Sequence, residues 1–395
     1  MTLTDAAHSH PPHRPSTERD FVFTFSYESF ADAAKRGMMR PPDRLVSTLM
    51  TLPEVRRLVV ADPYRSWTTD WLRQLIDREH TPRSTEKIRF ARPLRRARED
   101  PVALDAIEAA YLSYEHAVRR TAQRARLDRP AVITMNPLFA GFGRFDWTGP
   151  AVYYGRDDWL SSPARMKYWP AYREAYRRIS QSGLAVAAVS EEIMDRIAPT
   201  GPHRVVPNGI APDEWTSTQP EPPEWFAALT GPRAVYVGTL DTRLDVEGLI
   251  TLARARPELQ IVLVGPAPSA ADIAPLQASS NIHVRGLIGR AEVVAVLRNA
   301  ELTLLAHRRT RLTEAMSPLK VYEYLAAGRP VLATDLRPVR DFGERVLLAD
   351  TVSDFVDLLD AALALGVAPE AERLRFIDEN AWITRHHDIL ALAAE

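Results

Sequence analysis

Lys320 and Glu323 stand three residues apart, so a helix through them puts both on the face of its first turn. Ser317 suits the N-cap of that helix, and Pro318 suits its first position, where a missing N–H costs nothing. Gly328 offers a left-handed residue at the far end, and Pro330 prevents continuation. An ammonium, a carboxylate and unpaired backbone N–H groups then gather at one helix N-terminus, a setting for an anionic ligand. A phosphate would rest on the N–H groups and Lys320, while Glu323 accepts hydrogen bonds from sugar hydroxyls. The plainer alternative is an amphipathic helix with an exposed Lys–Glu pair, worth little to stability.

A second loop has related chemistry. Gly238-Thr239 ends an apolar run, and Arg243 follows shortly after. Glycine at a strand-to-helix turn lets backbone approach a phosphate closely, and arginine pairs with phosphate as a fork. Such a turn alone can be purely structural. Elsewhere, adjacent Asp157 and Asp158 end another apolar run, Val152-Tyr-Tyr-Gly. Either carboxylate could act as a general base on a hydroxyl within hydrogen-bond reach. Asp158 could equally cap the following helix. His307 and Arg308, beyond the run Leu302–Ala306, could line the same cleft or simply face solvent.

These residues need a framework. Short apolar runs at 234–238, 260–265, 281–286, 302–306, 330–334 and 345–348 read as strands. They alternate with helical stretches at 246–256, 290–299 and 351–365. Runs at 21–25, 57–61, 131–134, 151–154 and 184–189 repeat the grammar upstream, with helices expected over 101–127 and 163–182. Buried strands separated by helices predict parallel sheets covered on both faces, with ligands outside the strand C-termini. The expected division is an irregular tail over 1–19, a first domain over 20–211, a linker over 212–232, a second domain over 233–370 and a terminal helix over 371–395. The tail's His8, His10 and His13 could bind metal, but a solvated tail is the simpler reading.

The chain has 395 residues, 46% of them apolar, a formal net charge of -1 and no cysteine. The charge gives no global attraction for nucleic acid, and the missing thiols exclude disulfides, thiolate metal sites and cysteine nucleophiles. That usage is compatible with the cytoplasm, and no apolar run is long enough to span a bilayer. Arg83 to Arg98 is strongly basic with Ile88, Phe90 and Leu94 interspersed. It reads either as a peripheral contact for an acidic membrane face or lipid phosphate, or as a solvated loop.

The segment Pro318-Leu-Lys…Glu-Tyr-Leu-Ala…Gly…Pro-Val331 resembles the donor-binding signature of GT-B-fold glycosyltransferases, of the bacterial polysaccharide and teichuronic-acid type (group 1, family 4-like). The resemblance extends through Tyr236-Val-Gly-Thr-Leu and Val262-Leu-Val-Gly-Pro266 to the Pro-Asn-Gly at 207–209. It implies two doubly wound Rossmann-like α/β domains facing across a cleft, with a terminal helix crossing back to the first. It implies a nucleotide-sugar donor, most often UDP-linked, held by Gly238, Thr239, Arg243, Ser317, Pro318 and Lys320, with Glu323 on the ribose. Main-chain groups near Arg285, Gly286 and Leu287 would cradle the base, and Asn208 would make an interdomain contact or merely a tight turn. Asp157 or Asp158 would stand near the acceptor hydroxyl, whether the acceptor is a glycan, a lipid-linked sugar or a small molecule.

Two departures are visible: relatives commonly carry an Asp where Tyr154 stands, and a Glu where Ala315 stands, eight positions before Glu323. Glu314 is off by one and does not inherit that role. With no Asp-x-Asp anywhere, a metal-independent mechanism without cofactor is expected, the leaving diphosphate being stabilised by Lys320, Arg243 and helix amides. The alternatives are a sugar-nucleotide 2-epimerase of the same fold, or a catalytically silent binding protein.

Overall fold

The computed structural model describes residues 18–68 and 82–394. The first sheet contains β1 (Arg19–Thr24), β2 (Val55–Ala61), β3 (Ile88–Ala91), β4 (Ala131–Thr134), β5 (Ala151–Gly155), β6 (Ala185–Ala188) and β7 (His203–Val205). The second contains β8 (Arg233–Val237), β9 (Gln260–Val264), β10 (Ile282–Arg285), β11 (Leu302–Leu305), β12 (Val331–Thr334) and β13 (Val346–Ala349). Their orders are β3-β2-β1-β4-β5-β6-β7 and β10-β9-β8-β11-β12-β13, and every neighbouring pair is parallel. Each sheet therefore starts in its middle, winds outward and reverses once, between β1 and β4 or between β8 and β11.

The strand sequences explain the layers. In β8 and β9, Val235, Val262 and Val264 enter one core while Tyr236, Ile261 and Leu263 enter the other. Alternation sends successive side chains to opposite faces, so a continuous apolar run covers both. The ends of β8 and β9 crowd together: a Cβ on Gly265 would lie 2.1 Å from the Gly238 carbonyl oxygen, and both glycines have positive φ. Only glycine fits this crossing.

Several boundaries differ from those read in the sequence. Residues 1–17, with the three tail histidines, lie outside the described residues, whereas Arg19 already belongs to β1. The linker 212–232 folds onto the second lobe, because Trp215 and Phe226 bury fully in its core. The terminal segment is two helices: α1 (Glu370–Glu379) packs Ile377 on the second lobe, and α2 (Trp382–Leu392) packs Ile389 and Leu392 into the first. The crossing occurs at Ala381, which bridges to Ile210, with the Ile210 N–H donating to Asn380 O (2.9 Å) and the Trp382 N–H to Ile210 O (2.9 Å). Pairing to the chain's other interlobe crossing breaks the helix there. The segment expected to run helically over 163–182 opens as a 3-10 turn, Pro163–Tyr168, before the helix Trp169–Ser182. Ile88 and Phe90 of the basic stretch belong to edge strand β3, and Phe90 packs on Phe30 at 4.8 Å. Exposed Arg89 on that strand is the charge that keeps an open sheet edge soluble.

Candidate functional site

The reversal of the second sheet brings the turn after β8 beside the turn after β11, and the motif helix α3 (Leu319–Ala326) aims its first residues at both. A Cβ on Gly238 would lie 2.7 Å from Lys320 Nζ, so the two loops do converge. The ammonium sits 3.8 Å from the Tyr236 ring centroid and 3.1 Å from His307 Nε2. An ammonium can only donate, so His307 accepts at Nε2 and holds its proton on Nδ1. The Tyr236 hydroxyl lies 3.2 Å from the same nitrogen and 3.3 Å from Thr239 O.

The electrostatics are strained toward one sign. Burial, reinforced by nearby Arg243, draws Lys320 well below the usual lysine range. Burial and the Lys320 charge likewise hold His307 well below an ordinary histidine. Arg243 is clamped by Asp241, with Nη2–Oδ2 at 2.6 Å, and its Nη1 lies 3.8 Å from Met316 Sδ in the motif loop. Burial opposes the Asp241 charge, yet the Arg243 hydrogen bonds outweigh it and keep the carboxyl below its normal range. A diphosphate arriving here would raise Lys320 toward its usual range and share Arg243 with Asp241.

Ser317 is not the N-cap. Pro318 takes that place without a side-chain bond, and the helix begins at Leu319. The Ser317 hydroxyl instead accepts the Asn208 N–H (3.1 Å), while Asn208 Nδ2 donates to Ser317 O (2.6 Å). Asn208 thus joins the interlobe strap to the motif loop, and its buried Oδ1 has no partner. Glu323 is not a free carboxylate: Arg290 Nη2 lies 2.7 Å from it, and Arg290 Nε lies 2.8 Å from Glu214. Arg44, on the first-lobe helix Pro41–Thr51, completes the chain by pairing with Glu214. Arg285 stacks its guanidinium on Trp225 at 4.4 Å, and Gly286 and Leu287 beside it are exposed, leaving their main chain open.

On the first lobe the two carboxylates part company. Asp158 is buried, accepting the Leu160 N–H (3.2 Å) and pairing with Ser161 and Arg196, so it holds a turn together. It caps no regular helix. Asp157 is exposed and lines a notch with Tyr27, Glu28, Arg40 and Arg156. Tyr154 is buried, its hydroxyl donating to Val206 O (3.3 Å). Ala315 packs in the first lobe's core and accepts the Ser190 hydroxyl at its carbonyl (2.8 Å), where a glutamate would have to bury its charge. Glu314 is turned away to accept the Arg337 N–H (2.8 Å). Arg308 lies 3.7 Å from Asp245 at the lip of the β11 turn.

A cavity of about 500 Å³ also opens between the lobes, lined by Ser190, Ser317, Tyr322, Arg337, Phe342 and Arg385, but it touches none of Gly238, Lys320 or Glu323. Among the described residues no three His, Asp or Glu side chains group as metal ligands, and no helix is long and apolar enough to cross a membrane.

Arg290 and Glu214 are cleft residues whose roles are absent from the sequence reading. Arg290 had one local signal, its place at the helix start after Gly289, but its partner is fixed by topology.

Comparison with known proteins bears on the fold and its second lobe. Residues 231–365 match the family model "Glycosyl transferases group 1". A Bacillus subtilis protein provisionally named the teichuronic acid biosynthesis glycosyltransferase TuaH is 24% identical over 200 residues, a match spanning 48% of this chain and 48% of that protein. The chain thus aligns with about half the length of its curated relative. Sucrose-phosphate synthase from Thermosynechococcus elongatus superposes with a TM-score of 0.65 at 13% identity, over 95% of this chain and 98% of the other. An E. coli trehalose-6-phosphate structure bound with UDP-2-fluoro glucose gives a TM-score of 0.68 at 12% identity, over 95% and 99%. With the group 1 match on its second lobe and the same two-lobed architecture along its described length, the chain has the GT-B fold and its second lobe is similar to group 1 glycosyl transferases.

Proposed function

We propose that this protein moves a sugar from a UDP-sugar to a hydroxyl acceptor, without a metal, in the assembly of a polysaccharide or glycoconjugate. The observation that carries the reading is the convergence of Gly238 and Lys320 at the reversal of the second sheet. Backbone and ammonium there could receive a diphosphate, Arg243 adds charge from the side, and Glu323 lies one helical turn away for the ribose. The relatives' names support the donor class, since one solved neighbour holds a UDP-sugar analogue. The teichuronic acid relative supports the pathway class.

In this reaction the anomeric C–O bond breaks and the electron pair leaves with the diphosphate. The acceptor oxygen bonds to the anomeric carbon, and its proton passes to Asp157. Lys320 and Arg243 stabilise the charge that grows on the leaving group, which a dry, prearranged site does better than water. Main-chain groups from Arg285 to Leu287 hold the base.

The test is a thermal-shift panel of UDP-, GDP- and dTDP-sugars, followed by assay of UDP release with and without acceptors. Selective stabilisation by UDP-sugars and acceptor-dependent release are expected. No shift with any nucleotide-sugar would overturn the reading, and acceptor-independent turnover of the donor would favour epimerisation.

A further inference from the structure

The reversal of the first sheet has its own cavity, of about 180 Å³, lined among others by Tyr27, Arg65, Arg95, Asn136, Trp159 and Arg165. Ser26 and Tyr27 follow β1 and Asn136 follows β4, so the cavity occupies the place in the first lobe that the Lys320 site occupies in the second. It is smaller than the pockets that enclose whole drug-sized ligands, of about 300 Å³ or more, and so takes a group instead of a molecule.

Three guanidinium groups face it, and they are not equivalent. Arg65 is tied to Asp32 at 2.6 Å. Arg95 is tied to Asp100, whose other oxygen lies 3.4 Å from the Tyr111 hydroxyl. Arg165 has no carboxylate within ion-pair distance among the described residues. Its guanidinium lies instead 5.9 Å from the Tyr27 ring centroid and 5.8 Å from that of Trp159. Aromatic faces hold an arginine by cation–π attraction without using its N–H groups, so the fork of Arg165 is positioned and still free to donate. A free fork beside two anchored ones favours a dianion with several acceptor oxygens. A neutral sugar would use none of that charge.

Ser26 and Tyr27 also line the notch that holds Asp157. One aromatic wall therefore separates the arginine cavity from the exposed carboxylate. A group fixed on one side of Tyr27 presents the rest of its molecule over the ring toward Asp157.

We infer that this cavity is an anion subsite for the acceptor, and that the acceptor is a phosphorylated hydroxyl compound whose phosphate or pyrophosphate binds Arg165, Arg95 and Arg65. The inference rests on the glycosyltransferase reading above and adds the acceptor class to it. The phosphate could belong to a soluble sugar phosphate or to a lipid-linked one. The exposed apolar side chains Trp67, Leu94, Val102 and Met166, each within two residues of Arg65, Arg95, Asp100 or Arg165 in the chain, leave the lipid source open to test.

The experiment measures binding by calorimetry on the full chain, with UDP as a separate control for the donor lobe. Glucose 6-phosphate is titrated against glucose, and phosphatidylcholine vesicles with phosphatidic acid against vesicles without it. Preference for the phosphorylated partner in either arm is expected, and the arm that shows it identifies the source. Arg165→Ala should weaken that binding about ten- to hundred-fold, as loss of a charge-assisted pair does, while UDP affinity and melting temperature stay at the parent values. Arg165→Lys, which keeps charge but not the fork, should recover only part of the loss. UDP binding without any phosphate preference, or phosphate binding indifferent to Arg165→Ala, would overturn the inference and leave the donor reading standing. Failure of UDP to bind would instead strike the donor reading.

Discussion

Arg290 stands 2.7 Å from Glu323, the residue proposed above to bind the ribose. The carboxylate is mostly buried, and burial raises it above the usual glutamate range while Arg290 pulls the other way. Because Arg290 also grips Glu214, and Glu214 grips Arg44 of the first lobe, the ribose position is linked across the cleft. A ribose bound there, as proposed, would share Glu323 with Arg290.

That sharing makes a measurable demand. Wild-type protein should bind UDP about tenfold or more tightly than 2′-deoxy-UDP, since a hydrogen bond to a charged group is worth about 1.5–3 kcal/mol. Glu323→Ala, which removes the acceptor oxygens, should bind the two nucleotides alike. Calorimetry of both ligands on both proteins checks the assignment, and a preference for UDP surviving in Glu323→Ala would remove Glu323 from the ribose.

Lys320 yields a prediction about protons. Its ammonium is held well below the normal lysine range by burial and Arg243, and a bound diphosphate would raise it again. The bound state then holds more protons than the free one. UDP binding should therefore take up protons, and affinity should fall as pH rises through the free-state value of Lys320. Calorimetry in buffers of different ionisation enthalpy reads the uptake directly. The same strain predicts a trade of stability for function: Lys320→Met should raise the melting temperature of the ligand-free protein while UDP affinity falls about ten- to hundred-fold.

Asp157 and Asp158 should separate cleanly on substitution. Asp158→Ala removes the buried carboxylate that Arg196 and Ser161 share, and although Arg196 keeps Glu192 and Ser161, losing such a charge-assisted pair costs about 1.5–3 kcal/mol. Asp157→Asn touches only an exposed carboxylate at the notch. Denaturant unfolding should show a large loss for Asp158→Ala and almost none for Asp157→Asn, whereas turnover per folded molecule should collapse only for Asp157→Asn. Full turnover in Asp157→Asn would dismiss it as the base.

How much of this was legible follows from the range over which each interaction acts. The buried strands announced themselves because both faces of β4, β6, β11 and β12 are covered, giving unbroken apolar runs. Gly238 and Lys320 could be brought together because each lies at a strand or helix end whose role is set by its immediate neighbours. Ser317 misled for the opposite reason. Its local signature is that of a cap, but a partner far along the chain, Asn208, claims its hydroxyl. Glu323–Arg290 and Tyr27–Arg165 are likewise contacts of topology, invisible until the sheet orders are known. Asp157 and Asp158 look alike in sequence, and only the arrival of Arg196 from another helix tells them apart.

The interlobe strap offers the last prediction. His386 on α2 is buried, its Nδ1 2.6 Å from Thr48 Oγ1 and its ring stacked on Trp382 at 5.6 Å. Burial, with His387 and Arg44 adding repulsion, lowers it from 6.5 to about 3. Between those values the unfolded chain binds the proton and the folded chain does not, so stability is present above 6.5 and is lost as pH falls toward 3. By about pH 5 the loss from this one group approaches about 2 kcal/mol. His307 carries the same sign, since burial lowers it too. His386→Leu should give up about 1 kcal/mol at neutral pH by losing the Thr48 bond, yet its melting temperature should fall less than the parent's on acidification. Melting curves at neutral pH and about pH 5 for both proteins decide the matter, and parallel acid losses in parent and variant would show that the crossing helix carries no proton-linked term.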